Sequence, residues 1–113
     1  MWVFVNQKIF QISKYMSDNF KNPPTKELLC EKFSISDYKL RKGFKEIFGL
    51  NIGEYSRKKR IRTAAKLLSR TEHSISLVGE SVGFRNPSRF AEAFRNQYGV
   101  NPFYFRKVIR NSS

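Results

Sequence analysis

Val5, Ile9, Ile12, Met16 and Phe20 recur at spacings of three and four residues, the single apolar stripe of an amphipathic helix. The prolines of "NPPT" end that run, because proline disfavours the helical conformation in the residue before it. Thr25 then caps a short helix, "KELLCEKF", expected to pack through Leu28, Leu29 and Phe33. Ser36 opens a third helix whose inward stripe is Leu40, Phe44, Ile47 and Phe48, and Gly49 stops it. Asn51 and Glu54 stand at capping-box spacing before a long helix that reaches Ser69. Its inward positions are Ile61, Ala64, Ala65 and Leu68. After the polar break "SRTEHS" a short helix starts from Ser74 and runs into the turn "VGF". Asn86 and Pro87 then announce a helix as cap and first residue, and Asn101 and Pro102 announce the last. No segment alternates apolar and polar positions over the length of a strand. The chain is predicted to be all-α, with seven helices.

The same grammar is written twice. Leu40, Phe44, Phe48, Gly49 and Asn51 return fifty positions later as Phe90, Phe94, Tyr98, Gly99 and Asn101. Lys45 returns as Arg95 and Tyr55 as Phe105, while Glu31 and Glu80 correspond at an offset of 49. One extra residue therefore sits in the second turn. Each copy is a short helix, a turn and a longer helix, which is the helix-turn-helix arrangement. In that motif the second helix enters the major groove and reads base edges with its first residues. Two copies supply two reading helices, and successive major grooves on one face of B-DNA lie about 34 Å apart. A connecting helix of about 18 residues spans about 27 Å, which is compatible with that spacing. The expected organisation is a first subdomain over 6–50, a linker helix over 51–69 and a second subdomain over 70–109, with tails at 1–5 and 110–113.

Charge adds a partner to this picture. The 113 residues carry 22 basic and 9 acidic side chains, so 22 − 9 = +13, which favours a polyanion. Residues 1–35 contribute +2, residues 36–70 contribute +8 and residues 71–113 contribute +3. The grip is thus concentrated in the third helix and the linker. Cys30 is the one cysteine and His73 the one histidine, which leaves no disulfide framework and no Cys/His metal cluster, so no cofactor is expected. Cys30 reads as a core residue and His73 as an exposed one. No stretch approaches the roughly 18 apolar residues of a membrane span. "MWVFV" is too short for a signal-peptide core, so the expected location is the cytoplasm.

The residues also carry a resemblance. "S..YKLRKGFKEIFG", "Y....RIRTAAKLL", "SISLVGESVGFRNPSRFAEAFR", "YGVNP" and the closing Phe105-Arg106 resemble the DNA-binding domain of the AraC/XylS family of bacterial transcription regulators, over residues 6–108. The resemblance implies a homeodomain-like pair of helix-turn-helix subdomains and sequence-specific binding to double-stranded DNA in transcription regulation. It implies base contacts from Tyr38, Arg41 and Lys42 on the first reading helix, and from Asn86, Ser88, Arg89 and Glu92 on the second. Arg89 is the leading candidate in the second helix, which often adds less to specificity in this family. Bottom-up chemistry agrees for Arg41, since arginine can pair bidentately with guanine. Ser36, Lys39, Lys45, Arg57 and Arg95 are expected on phosphates, where they give affinity and salt dependence without sequence information.

Several positions stay open on sequence alone. The run "RKKRIR", Arg57 to Arg62, suits phosphate contact, contact with RNA polymerase, or a merely solvated face; Arg60 matches a family position that supports packing. Gly43 costs its helix about 1 kcal/mol relative to alanine, and close approach to DNA or to a neighbouring helix would each explain it. Trp2, Phe4 and Phe10 either finish the first helix or once met something upstream. Family members usually join this domain to a ligand-sensing or dimerising domain, so the chain reads as the DNA-binding part of a longer regulator, an activator, associated with the bacterial nucleoid.

Other classes fit less well. An enzyme would need a catalytic cluster or a Gly-rich phosphate loop. Some DNA-repair proteins carry a similar domain beside a reactive zinc-bound cysteine, but such a zinc takes four ligands, which Cys30 alone cannot supply. An RNA binder would show several exposed aromatics for stacking, and Tyr38 is the one clear candidate. A membrane-surface helix would keep a broad apolar face that is here claimed by helix packing. The alternative kept is a stand-alone nucleoid-like protein that binds nucleic acid without sequence preference.

Overall fold

A computed structural model of the chain describes residues 2–112, with side chains over 5–112. The described residues form seven helices and no strand, as predicted. These are α1 (Trp2–Asp18), α2 (Lys26–Phe33), α3 (Asp37–Phe48), α4 (Ile52–Arg70), α5 (Ile75–Ser81), α6 (Pro87–Tyr98) and α7 (Pro102–Asn111). The chain divides into two compact units, Met1–Ser56 and Arg57–Ser113, the boundary falling shortly after the start of α4. No described helix is long and apolar enough to cross a membrane.

The caps are those the sequence announces. Thr25, Ser36 and Ser74 accept amide hydrogen bonds from Leu28, Lys39 and Leu77. Asn51 accepts from the amide of Glu54 at 2.9 Å, and Glu54 accepts in return from the amide of Asn51 at 3.2 Å, a closed capping box. Gly49 and Gly99 end α3 and α6 at φ 73° and 83°, a conformation that glycine adopts without steric cost.

Unit 1 buries Val5, Ile9, Ile12 and Met16 of α1 against Leu29, Ile35, Leu40 and Phe44. Two expectations are corrected. Phe20 lies past the end of α1, because Asn19 closes that helix: its amide donates to Met16 O and its side chain to Tyr15 O. Leu28 is 44% exposed, since the inward row of α2 is taken by Leu29 and Phe33, four apart. Gly43 has a definite reason. A Cβ there would stand 2.8 Å from Ile9 Cγ1, so the missing side chain lets α3 lie close on α1. Trp2 and Phe4 lie outside the described side chains. Phe10 is exposed, its ring meeting Phe48 edge-on.

Unit 2 buries Ile61, Ala64, Ala65 and Leu68 of α4 with Val78, Val82, Phe90, Phe94 and Pro102. The written repeat proves to be a repeat of packing. In unit 1 the rings of Phe44, Phe48 and Tyr55 meet at centroid distances of 5.0, 5.1 and 4.8 Å. Phe94, Tyr98 and Phe105 make the matching triad in unit 2 at 4.9, 5.2 and 5.3 Å. The turns differ as the offsets predict. Ser34 holds φ 51° in the first and Gly83 holds φ 93° in the second. Between that residue and the next cap lies Ile35 alone in unit 1, but Phe84 and Arg85 in unit 2.

Candidate nucleic-acid interface

The outer face of α3 follows from its inner one. Leu40, Gly43 and Phe44 are buried, and Ile47 packs against the same core. At about 100° per residue, Arg41, Lys45, Tyr38 and Lys42 then fall together on an outward arc about 100° wide. All four are exposed. Lys42 Nζ lies 3.4 Å from the Tyr38 hydroxyl and 5.5 Å from its ring centroid, so the ammonium sits against the phenol. Lys45 Nζ donates to Gly49 O at 3.3 Å, at the helix C-terminus where a cation suits the dipole. Lys39 lies about 60° beyond the arc. Ser36 spends its hydroxyl oxygen on the Lys39 amide, which leaves its O–H as a donor.

An acid sits among these cations. Asp37 Oδ2 accepts from Arg41 Nε at 3.0 Å, and Lys26 Nζ from α2 lies 3.2 Å from Oδ1. The Lys26 ammonium beside it holds the Asp37 carboxyl below its ordinary range; desolvation opposes this and the Arg41 guanidinium assists it. Neither Lys26 nor Asp37 stands out in the pattern that marks the reading helix. The available signal was the spacing Asp37 to Arg41, four residues apart on one helix face.

The second reading helix has the same register and different chemistry. Phe90 and Phe94 point inward. Ser88, Glu92 and Arg95 occupy the places of Tyr38, Lys42 and Lys45, while Ala91 stands where α3 carries Arg41. Arg89 takes the position of Lys39, at the edge of the arc. Asn86 accepts from the amides of Ser88 and Arg89 at 2.8 and 3.2 Å, so its carbonyl oxygen is committed to the cap and its amide hydrogens face outward as donors. The α3 arc thus carries three cations and the α6 arc one cation against one acid.

The basic run on α4 separates by role. Arg57, Lys58 and Arg62 are exposed and Ile61 is core. Arg60 turns inward, donating from Nε to Val82 O at 2.9 Å and from Nη2 to Gly83 O at 3.0 Å, with its guanidinium 4.1 Å from the Phe84 ring centroid. Burial, and then the neighbouring Arg57, push its pKa below the ordinary guanidinium value. Arg60 therefore ties the second turn to α4, the packing role its position implied. Arg106 makes a comparable tie from α7, donating to Leu68 O and Thr71 O at the end of α4. Arg110 adds Thr71 O at 2.7 Å and an ion pair with Glu72.

Tyr38 is not the one exposed aromatic. Phe10, Phe103 and Tyr104 are exposed as well, at 56, 68 and 52%. In α7 the inward positions go to Pro102, Phe105 and Arg106, which leaves Phe103 and Tyr104 outside. Among the described residues no group of three or more His, Cys, Asp or Glu side chains could hold a metal ion. Cys30 is partly buried against the unit 1 core, and His73 is exposed.

Comparison with known proteins agrees with this geometry. A family model described as a helix-turn-helix domain matches residues 29–107. The Msm operon regulatory protein of Streptococcus mutans is 30% identical over 102 residues, covering 90% of this chain and 37% of that protein. A crystal structure of an AraC-type transcriptional regulator from Chromobacterium violaceum superposes with a TM-score of 0.84 at 25% identity, covering 89% of this chain and 90% of that one. The DNA-binding domain of AdpA, solved in complex with a target DNA, shares the fold with a TM-score of 0.85 at 21% identity, covering 92% and 94%. The chain spans 35 to 47% of the length of three curated relatives it matches. With two helix-turn-helix motifs, a basic outer face on α3 and a family match over most of its length, this chain belongs to the AraC/XylS family, as the sequence-specific DNA-binding domain of a transcription regulator.

Proposed function

We propose that this chain reads duplex DNA bipartitely and unequally, with α3 as the principal reading helix and α6 as a weaker second one. The observation that carries this is the contrast between the two arcs. Tyr38, Arg41, Lys42 and Lys45 offer several donors and three positive charges to a groove, whereas on α6 Ser88 and Ala91 have little reach and the charges of Glu92 and Arg95 cancel. Arg41 and Lys42 suit the acceptors of guanine, and Glu92 the amino group of cytosine. Asn86 and Arg89 read the edge of the second site. Lys39, Lys45, Arg57 and Arg95 hold phosphates, assisted by the Ser36 hydroxyl at the start of α3.

In this reading residues 6–50 and 70–109 are the two reading subdomains, and the helix over 51–69 is the linker that joins them. The chain then works as the DNA-binding part of a longer cytoplasmic regulator, an activator that meets RNA polymerase while an upstream domain senses an effector or dimerises. It supplies no catalysis itself. The test is selection of bound duplexes from a random pool by the purified chain at near-physiological salt. The expected outcome is a strongly defined motif and a weaker one about one helical turn, or 10–10.5 base pairs, away. A featureless pool bound only at low salt would overturn sequence reading by this chain, and two equally defined motifs would overturn the inequality.

A further inference from the structure

We propose that Asp37 is a positioning residue for base recognition: its carboxylate holds the Arg41 guanidinium so that the outer edge faces the groove, while Lys26 shields that carboxylate from phosphate. The inference rests on the reading of Arg41 as a base contact. Asp37 Oδ2 takes the Nε–H of Arg41 at 3.0 Å. A guanidinium held through Nε keeps Nη1 and Nη2 for other partners, and such a pair of parallel donors matches the O6 and N7 acceptors of guanine. An arginine side chain otherwise samples many rotamers, and each must be given up on binding. Anchoring one nitrogen in the unbound protein removes part of that loss for one orientation alone, so it acts on discrimination more than on affinity.

A carboxylate at the head of a reading helix is a liability next to a polyanion. Lys26 answers it: its ammonium reaches across from α2 to lie 3.2 Å from the other carboxylate oxygen. The acid is bracketed by cations from both helices of the motif. The second motif supplies an internal comparison, because there both members are absent together. At the fifty-residue offset Pro87 stands for Asp37 and Ala91 for Arg41. A carboxylate serving only the positive end of its helix would have no reason to depart with an arginine one turn away.

The experiment uses the whole chain and the duplex recovered by selection, re-synthesised with each of the four base pairs at the position that Arg41→Ala relaxes. Competition binding compares the wild type with Asp37→Ala, Arg41→Ala and the double variant, with a thermal melt of each. Asp37→Ala is expected to reduce discrimination at that position by about three- to tenfold, while binding to unrelated duplexes tightens as a negative charge is lost. In the Arg41→Ala background the same change should leave discrimination untouched. If Asp37→Ala keeps full discrimination, or weakens all duplexes alike with a lower melting midpoint, Asp37 only steadies its helix and the proposal fails while Arg41 stands. If Arg41→Ala relaxes no position, the reading of Arg41 fails and carries this proposal with it.

Discussion

Gly79 offers a prediction in which two ordinary rules oppose each other. It lies inside α5, where replacing glycine by alanine normally stabilises a helix by about 1 kcal/mol. A Cβ at this position, however, would stand 2.7 Å from Phe90 Cδ2, 2.9 Å from Cγ and 3.3 Å from Cβ. Favourable carbon contacts begin near about 3.5 Å, so the new methyl intrudes by close to an ångström on the root of an aromatic side chain. Phe90 has little freedom to withdraw, being buried with its ring 5.5 Å from Phe84 and 6.1 Å from Phe94. Overpacking of this kind costs about 1–3 kcal/mol, and the rigid obstacle puts Gly79→Ala at the upper end. Subtracting the helical gain leaves a net loss of about 2 kcal/mol, or roughly 10 °C in melting temperature for a unit of this size. Gly53→Ala is the control, since only Asn51 Oδ1 comes near, at 3.4 Å, and it should be neutral or gain up to about 1 kcal/mol. Urea unfolding followed by circular dichroism measures the difference. Hydrogen exchange of peptides from α5 and α6 assigns the loss to unit 2. A Gly79→Ala protein as stable as the wild type would refute the close approach of α5 and α6.

Three further outcomes are expected. Phe94→Ala should destabilise by about 3–5 kcal/mol, because Phe94 is fully buried among Phe90, Tyr98 and Phe105; an unchanged urea midpoint would contradict that core. Arg60→Ala should lower stability by about 1–2 kcal/mol, a charged hydrogen-bond loss discounted for partial exposure, whereas Arg57→Ala should leave the melt alone and reduce the salt slope of DNA binding by about 1. Lysine should not rescue Arg60, since it cannot bond two carbonyls and stack on Phe84 at once. The depressed pKa of Asp37 means that its contribution is complete above the unfolded value and disappears as pH falls through the folded one. Asp37→Asn should therefore lower the urea midpoint at neutral pH and converge with the wild type on the acid side of the carboxylate range; a gap constant with pH would exclude this ion cluster as its source.

Features that depend on neighbours along the chain were legible before any folding was considered. Helix starts at Thr25, Ser36, Asn51, Ser74, Asn86 and Asn101 were legible because a cap bonds an amide two or three residues away. The helix stops at Gly49 and Gly99 were legible because a left-handed residue is a local demand. Most inward stripes followed from helical period, and the fifty-residue echo of Phe44, Phe48 and Tyr55 marked the residues that the structure gathers into a second aromatic triad. What the period does not settle is which of two adjacent apolar residues turns inward in a short helix: the pattern admits both Leu28 and Leu29, and only Leu29 is buried. It also could not see Asn19 closing α1 ahead of the prolines.

The tertiary structure decided the rest, because those facts concern distances between residues far apart in sequence. Gly43 and Gly79 look alike on paper, but only packing reveals that one makes room for Ile9 and the other for Phe90. The five charges in "RKKRIR" read as one basic run until Arg60 is seen bonded to Val82 and Gly83, more than twenty residues away. The pairing of Lys26 with Asp37 is of the same kind, joining two helices through charge that no periodicity encodes. Local rules set where α3 and α6 begin and which residues they bury, whereas contacts between residues far apart in sequence set which charges of α3 and α4 are already paired within the protein.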